Sequence, residues 1–156
     1  TGVTDPLNIG LLTAIPYAVA VIAMIMIGRS ADQHRERRWH VAIPAFLGCV
    51  GLLFSTVYDH NTLLAMASLT LAAVGILTTL PLFWSLPTAF LSGAAAAAGI
   101  ALINSLGNLA GFVSPYLVGW LKDATQSTNT GMYVLAGSLL LGGLLTLAVP
   151  AKLVNK

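Results

Sequence analysis

The feature that most constrains the fold is a long stretch of chain without any charged side chain. Between Asp59 and Lys122 lie 62 positions, and none of them is Asp, Glu, Lys or Arg. A soluble domain carries about 25% charged residues because its surface must be solvated, whereas this chain of 156 residues has only 8%. Lipid or other protein must surround this stretch, and a membrane protein is predicted.

Charged residues and prolines divide the chain into five apolar segments, each close to or above the roughly 20 residues that a membrane-spanning helix needs. The predicted spans are residues 9–28, 41–57, 62–87, 92–121 and 132–150. We therefore predict an all-α membrane protein, with residues 1–156 forming one partial transmembrane domain. Since the sequence begins with Thr1 and not with Met, it is expected to be a piece of a longer protein. Pro81 and Pro87 predict a broken or bent end of the third span, because proline removes a helical hydrogen bond.

The predicted fourth span combines small residues with uncharged polar ones. Gly107, Gly111 and Gly119 recur at multiples of four positions and predict a face against which a neighbouring helix packs closely. Asn104 and Asn108 are also four apart, so their carboxamides share one helix face. A polar face in hydrocarbon is costly unless it meets protein or a wet cavity, which makes it a candidate site. The alternative is that the amides only join helices by hydrogen bonds.

A short basic segment, GRSADQHRERRWH, connects the first two spans at residues 28–40 and holds four of the seven basic residues. The positive-inside rule predicts that this loop is cytoplasmic, and five crossings then place the C-terminus, with Lys152 and Lys156, on the same side. Asp32 lies one helical turn after Gly28, where it could pair with arginines as a breakable latch. The alternative is a loop that only anchors the topology. The candidate latch loop comprises Gly28, Arg29, Asp32, Arg37 and Arg38.

Several kinds of chemistry have no support in the sequence. The net charge of +2 comes from residues at helix ends, so no nucleic-acid partner is predicted. No cluster of metal ligands and no nucleophile with a nearby base is found within the spans, so neither a metal site, a cofactor nor an enzyme is predicted. The spans contain no Asp, Glu, Lys or Arg at depth, so any step that needs such a group is expected in a part of the protein outside this sequence.

The basic segment and several longer motifs resemble a known family. GRSADQHRERR resembles the loop signature of the major facilitator superfamily (MFS), with Gly28, Asp32 and Arg37 at matching positions, while Gln33 and Glu36 replace basic residues. IGLLTAIPY, RRWHVAIP and FWSLPTAFLSGAAAAAGIALINSLGNLAGFVSPYLVGWLKDAT are similar to the anion:cation symporter family within that superfamily. The resemblance covers nearly the whole chain. It implies that the five spans correspond to spans 8 to 12 of a 12-span fold, the N-terminal half being outside this sequence.

The resemblance also implies a function. Members of the family carry sugar acids, tartrate, phthalate and similar carboxylates, so it implies secondary active transport of a small organic anion by alternating access, coupled to protons, in the inner cell membrane. It implies that Trp84 and Asn104 face the substrate, with Asn108 one turn away, and that the candidate latch loop locks one conformation. The partners implied are the substrate, protons, the lipid bilayer and the absent transmembrane half. The alternative is a scaffold or assembly subunit that associates through Gly107 and Gly111 and moves no solute.

Overall fold

The computed structural model describes residues 6–58 and 60–155, and the only regular secondary structure among these residues is helical. A single-turn helix, α6 (Ala151–Val154), follows five long ones. The long helices are α1 (Pro6–His34), α2 (Arg38–Val57), α3 (Thr62–Phe90), α4 (Gly93–Thr125) and α5 (Thr128–Ala148). Three residues named in the sequence analysis lie outside the described residues: Thr1, Asp59 and Lys156.

All five long helices are long and apolar enough to cross a membrane, so the predicted fold class, all-α with five spans, is confirmed. Several helices extend beyond the apolar segments into their polar flanks. α1 continues to His34, so Gly28, Arg29 and Asp32 lie in its last turns, and only residues 35–37 connect it to α2. Polar residues such as Arg and Gln are good helix formers, and hydropathy therefore does not show where such a helix ends.

α3 continues through both of its prolines. The helix is unbroken from Thr62 to Phe90, with Pro81 and Pro87 inside it. The predicted break is therefore wrong, whereas the alternative of a bent end stays a prediction. Each proline removes one backbone hydrogen bond, a loss that membrane helices tolerate where their neighbours compensate for it. Pro87 is buried, whereas Pro81 is exposed.

α2 lies at the centre of the bundle, packed against α3 on one side and α5 on the other, while α1 packs on α3. Glycines allow α2 and α3 to approach closely. A Cβ added to Gly75 would collide with the backbone of Gly48 and the carbonyl of Pro44. One added to Gly51 would collide with the backbone of Ala72. Small residues at such positions let two backbones come into contact, which is how membrane helices associate.

α4 is the least packed helix of the five. None of its residues is buried, and it contacts α5 more than α3. Among the described residues, no atom lies within 4 Å of a Cβ added to Gly107, Gly111 or Gly119. This glycine row therefore has no close neighbour among the helices described here, and its tight packing against another part of the protein stays a prediction. The close glycine packing occurs between α2 and α3.

The contacts of α4 include one near each of its ends. Near its start, a Cβ added to Gly99 would lie 2.7 Å from Cδ1 of Leu91, in the connection from α3. Near its end, Val118 contacts Gly131 of α5, where an added Cβ would lie 2.9 Å from Cγ1 of Val118. The middle of α4, which carries both asparagines, faces a gap.

The C-terminal segment folds back onto the bundle. Val154 of α6 is fully buried in an apolar cluster with residues of α1, α2 and α3, namely Ala31, Val41, Leu82 and Leu86. This packing holds α6 beside the connection between α1 and α2. One end of the bundle thus collects that connection, the end of α3 and the end of the described chain.

Candidate functional site

A cavity of about 490 Å³, which we call the amide cavity, lies between α3, α4 and α5. Three residues predicted from the sequence line it together: Trp84 of α3, and Asn104 and Asn108 of α4. The rest of its lining is formed by Ile76, Thr79, Leu80, Phe83, Ile103, Gly107 and Leu139. Its volume falls in the range of small-molecule sites.

The two carboxamides of the amide cavity are free to bind a ligand. Asn104 and Asn108 are exposed, and neither makes a hydrogen bond to another described residue. The hydroxyl of Ser105, between them, instead donates to the carbonyl of Ala101 in its own helix at 2.8 Å. A carboxamide offers two N–H donors and one acceptor, so this wall can bind hydroxyl, carbonyl or carboxylate oxygens without carrying charge.

Trp84 forms the aromatic part of the amide cavity together with Phe83. The two rings meet edge to face, with centroids 5.7 Å apart and planes at 69°. Trp84 is half-buried, and its indole N–H makes no hydrogen bond to the other residues that the structure describes. The indole therefore presents a flat apolar face and a free donor.

The sequence analysis missed most of the apolar lining, although a signal for part of it was present. Five lining residues on α3, at positions 76, 79, 80, 83 and 84, recur at the spacing of a single helix face. On α4 the lining positions 103, 104, 107 and 108 do the same. Knowing that α3 and α4 face each other would have identified both sets. Leu139 is the single lining residue from α5, so no such spacing could have predicted it.

The lining of the amide cavity contains no charged residue. Among residues 6–58 and 60–155 there is also no group of three or more side chains that could hold a metal ion. What this wall offers a ligand is therefore hydrogen bonding and apolar contact.

A polar network joins the connection between α1 and α2 to the C-terminal segment. Asn155 Oδ1 accepts a hydrogen bond from the backbone N–H of Arg37 at 3.0 Å, and its Nδ2 donates to Glu36 Oε1 at 3.0 Å. The other carboxylate oxygen, Oε2, accepts from the backbone N–H of Trp39 at 2.9 Å and lies 3.2 Å from Nδ1 of His40. Glu36 therefore caps the start of α2 and also binds the side chain of Asn155.

The guanidinium group of Arg37 extends this network to α3, because its Nη1 donates to the carbonyl of Ser85 at 3.2 Å. Burial alone would raise the pKa of the Glu36 carboxyl. The hydrogen bonds from Asn155, His40 and Trp39 outweigh this effect and hold the pKa below its ordinary value, because each of them stabilises the charged form.

The candidate latch residues are only partly brought together. Arg29 and Asp32 are exposed on the last turns of α1, and Asp32 forms no ion pair with any described residue. Arg38 is half-buried at the start of α2, and its Nε has no hydrogen-bond partner in the described part of the chain. Glu36 and Asn155, which were not predicted to take part, make the contacts instead. Glu36 stood out only as a departure from the family's basic pattern.

Comparison with known proteins identifies relatives along nearly the whole chain. The metabolite transport protein NicT of Pseudomonas putida is 44% identical over 155 residues, which cover 99% of this chain and 36% of NicT. A tartrate transporter of Agrobacterium vitis is 46% identical over 143 residues, 92% of this chain and 33% of the relative. The inner membrane transport protein RhmT of Escherichia coli is 33% identical over 134 residues, 86% of this chain and 31% of RhmT. The chain thus spans about a third of the length of the curated relatives it matches.

A scan against protein-family models finds no match, and no solved structure gives a significant match. The helices indicate a multi-pass membrane protein, and the relatives that this chain matches are named as transporters. The resemblance to the MFS, as a C-terminal part, is confirmed, since a fungal relative that is 33% identical over 138 residues is named an MFS transporter.

Proposed function

We propose that the complete protein is a secondary transporter that moves a small organic anion, a sugar acid or other carboxylate, together with protons by alternating access. The observation that carries the proposal is the convergence of Trp84, Asn104 and Asn108 on one cavity, where neither carboxamide forms a hydrogen bond with another described residue. Amides on apolar helices are costly unless they meet protein, water or a ligand. Transport explains why they are placed there.

The five helices form one wall of this proposed site. The amide cavity has no cation to pair with an anion and no carboxylate or histidine to carry a proton. The proposal therefore assigns charge recognition and proton coupling to the part of the transporter outside this chain. Two transmembrane halves that rock about a site near the midplane would expose it to each side in turn.

In this proposal the basic end of the bundle, with residues 35–37 and Asn155, faces the cytoplasm, following the positive-inside rule. The network of Glu36, Arg37 and Asn155 then lies at the inner rim of the inner membrane. The relatives named as transporters support this proposal over a scaffold that associates through Gly107 and Gly111.

The experiment that tests the proposal is uptake by the complete protein in proteoliposomes, with labelled tartrate, gluconate and benzoate and an imposed proton gradient. Asn104→Ala should reduce uptake of the transported acid about tenfold or more, because a hydrogen bond to a charged group contributes about 1.5–3 kcal/mol. Ser105→Ala is the matched control, since that hydroxyl bonds to its own helix. Unchanged uptake kinetics in Asn104→Ala would remove this residue from the site. An uptake rate that does not depend on the proton gradient would contradict proton symport.

A further inference from the structure

Phe83 lies where three cavities meet. Besides the amide cavity, it lines a cavity of about 400 Å³ between α2, α3 and α5, which we call the inner apolar cavity. It also lines a cavity of about 340 Å³ that extends along α3 past Leu86 and Phe90 to Val149 at the end of α5, which we call the end apolar cavity. Phe83 is common to the lining of all three.

The partition between the amide cavity and the inner apolar cavity is itself apolar. Both cavities are lined by Ile76, Thr79, Phe83 and Leu139. The only hydroxyl among these residues, that of Thr79, donates to the carbonyl of Gly75 at 2.8 Å and so is already bonded within its own helix. Towards the end apolar cavity, the partition consists of Phe83 and Ile103. The three spaces therefore share these residues in their linings.

The apolar residues of this shared lining affect which ligands the amide cavity can bind. A ligand that reaches Asn104 and Asn108 also meets Phe83, Ile76 and Leu139, which line the same cavity. A hydroxyl group placed against these residues would lose its hydrogen bonds to water, at a cost of about 1–3 kcal/mol each. A flat apolar ring would instead gain contact with the edge-to-face pair of Phe83 and Trp84.

We propose, building on the transport function above, that Phe83 determines specificity by limiting the size of the apolar part of the substrate. We also propose that this apolar part is a planar ring. The substrate is then an organic acid with an unsaturated or aromatic ring, and polyhydroxylated acids are disfavoured. The phenyl group of Phe83 closes the way into the inner and end apolar cavities. Removing it joins these spaces to the amide cavity, so that acids with a larger apolar substituent fit.

The test is equilibrium binding to the purified complete protein, measured by titration calorimetry with benzoate, 4-butylbenzoate and tartrate. The unmodified protein should bind benzoate at least tenfold more tightly than either of the others. Phe83→Ala should improve the affinity for 4-butylbenzoate relative to benzoate at least tenfold, since even one methylene in an apolar pocket changes discrimination by about 10-fold or more. Phe83→Leu leaves a smaller void and should shift the ratio in the same direction by less.

Phe54→Ala is the matched control, because Phe54 is an exposed phenylalanine of α2 outside the three cavities. It should leave the ratio unchanged. Tighter binding of tartrate than of benzoate, or an unaltered ratio in both Phe83 variants, would overturn the proposal while leaving organic-anion transport intact. Absence of both binding and uptake for every acid would overturn the transport function as well.

Discussion

The side-chain amide of Asn155 donates to the carboxylate of Glu36, with Nδ2 and Oε1 3.0 Å apart, although 119 positions separate the two residues along the chain. The same asparagine accepts from the backbone of Arg37, whose guanidinium group bonds to the carbonyl of Ser85 on α3. One side chain near the end of the sequence therefore helps to hold the connection between α1 and α2 against two other parts of the bundle.

Asn155→Ala is expected to destabilise this end of the protein. The substitution removes two hydrogen bonds, one of them to a charged group, and leaves the backbone N–H of Arg37 without its partner, so a loss of about 2 kcal/mol or more is expected. The apparent Tm of the complete protein in detergent should fall, and the segment around Asn155 should be cleaved faster by proteinase K. Lys152→Ala, at an exposed position of the same segment, serves as the control. Equal cleavage of both variants would contradict the anchoring role.

The Glu36 contacts also predict a pH dependence. The pKa of this carboxyl in the folded protein lies below its ordinary value of 4.5. A depressed pKa means that the stabilisation is fully present above the ordinary value and is lost as the pH falls through the lowered value. The apparent Tm should therefore decrease more below about pH 4.5 in the unmodified protein than in Glu36→Gln, which cannot titrate. An identical acid dependence in both would refute this assignment.

Gly75→Ala is expected to disrupt the contact between α2 and α3. The added methyl group would overlap the backbone of Gly48 and the carbonyl of Pro44, neither of which can move aside as a flexible side chain would. A cost of about 3 kcal/mol or more is expected, at the upper end of overpacking effects. The yield of folded, monodisperse protein should drop sharply. Gly137→Ala is the control, because its Cβ would have no atom within 4 Å; the same drop in both would argue against close packing at Gly75.

The proposed orientation can be tested by cysteine labelling. Gln33 and Thr128 are exposed near opposite ends of the bundle, and Cys49 is buried. In the complete protein with its native cysteines replaced, Gln33→Cys should react with an impermeant maleimide only after the membrane is opened. Thr128→Cys should react in intact cells. The reverse pattern would invert the topology predicted from the arginines.

The five helices were predictable because long uncharged runs leave a chain few alternatives in a membrane. The ends of the helices were not predictable in the same way. Arg29 and Asp32 are compatible with both helix and loop, so hydropathy ends α1 too early. The continuity of α3 through Pro81 was also missed, since the effect of a proline depends on neighbours that a single sequence does not show.

The candidate site was predicted in part. The resemblance to known transporters pointed to Trp84 and Asn104, and the helical spacing added Asn108. Phe83 was not predicted, because the sequence does not distinguish a phenylalanine that lines a cavity from the other apolar residues of a span. Asn155 was missed for a similar reason: nothing local indicates that the chain end returns to residues 36 and 37.

The small number of contacts between α4 and the other described helices has a consequence for the width of the amide cavity. Its described contacts include one with Leu91 near its start and one between Val118 and Gly131 near its end, and none of its residues is buried. The separation between Asn104 on this helix and Trp84 on α3 is thus not fixed by interlocked side chains from the five helices. Contacts from outside these five helices must therefore set the width of the amide cavity, whereas this chain by itself sets the glycine contact between α2 and α3.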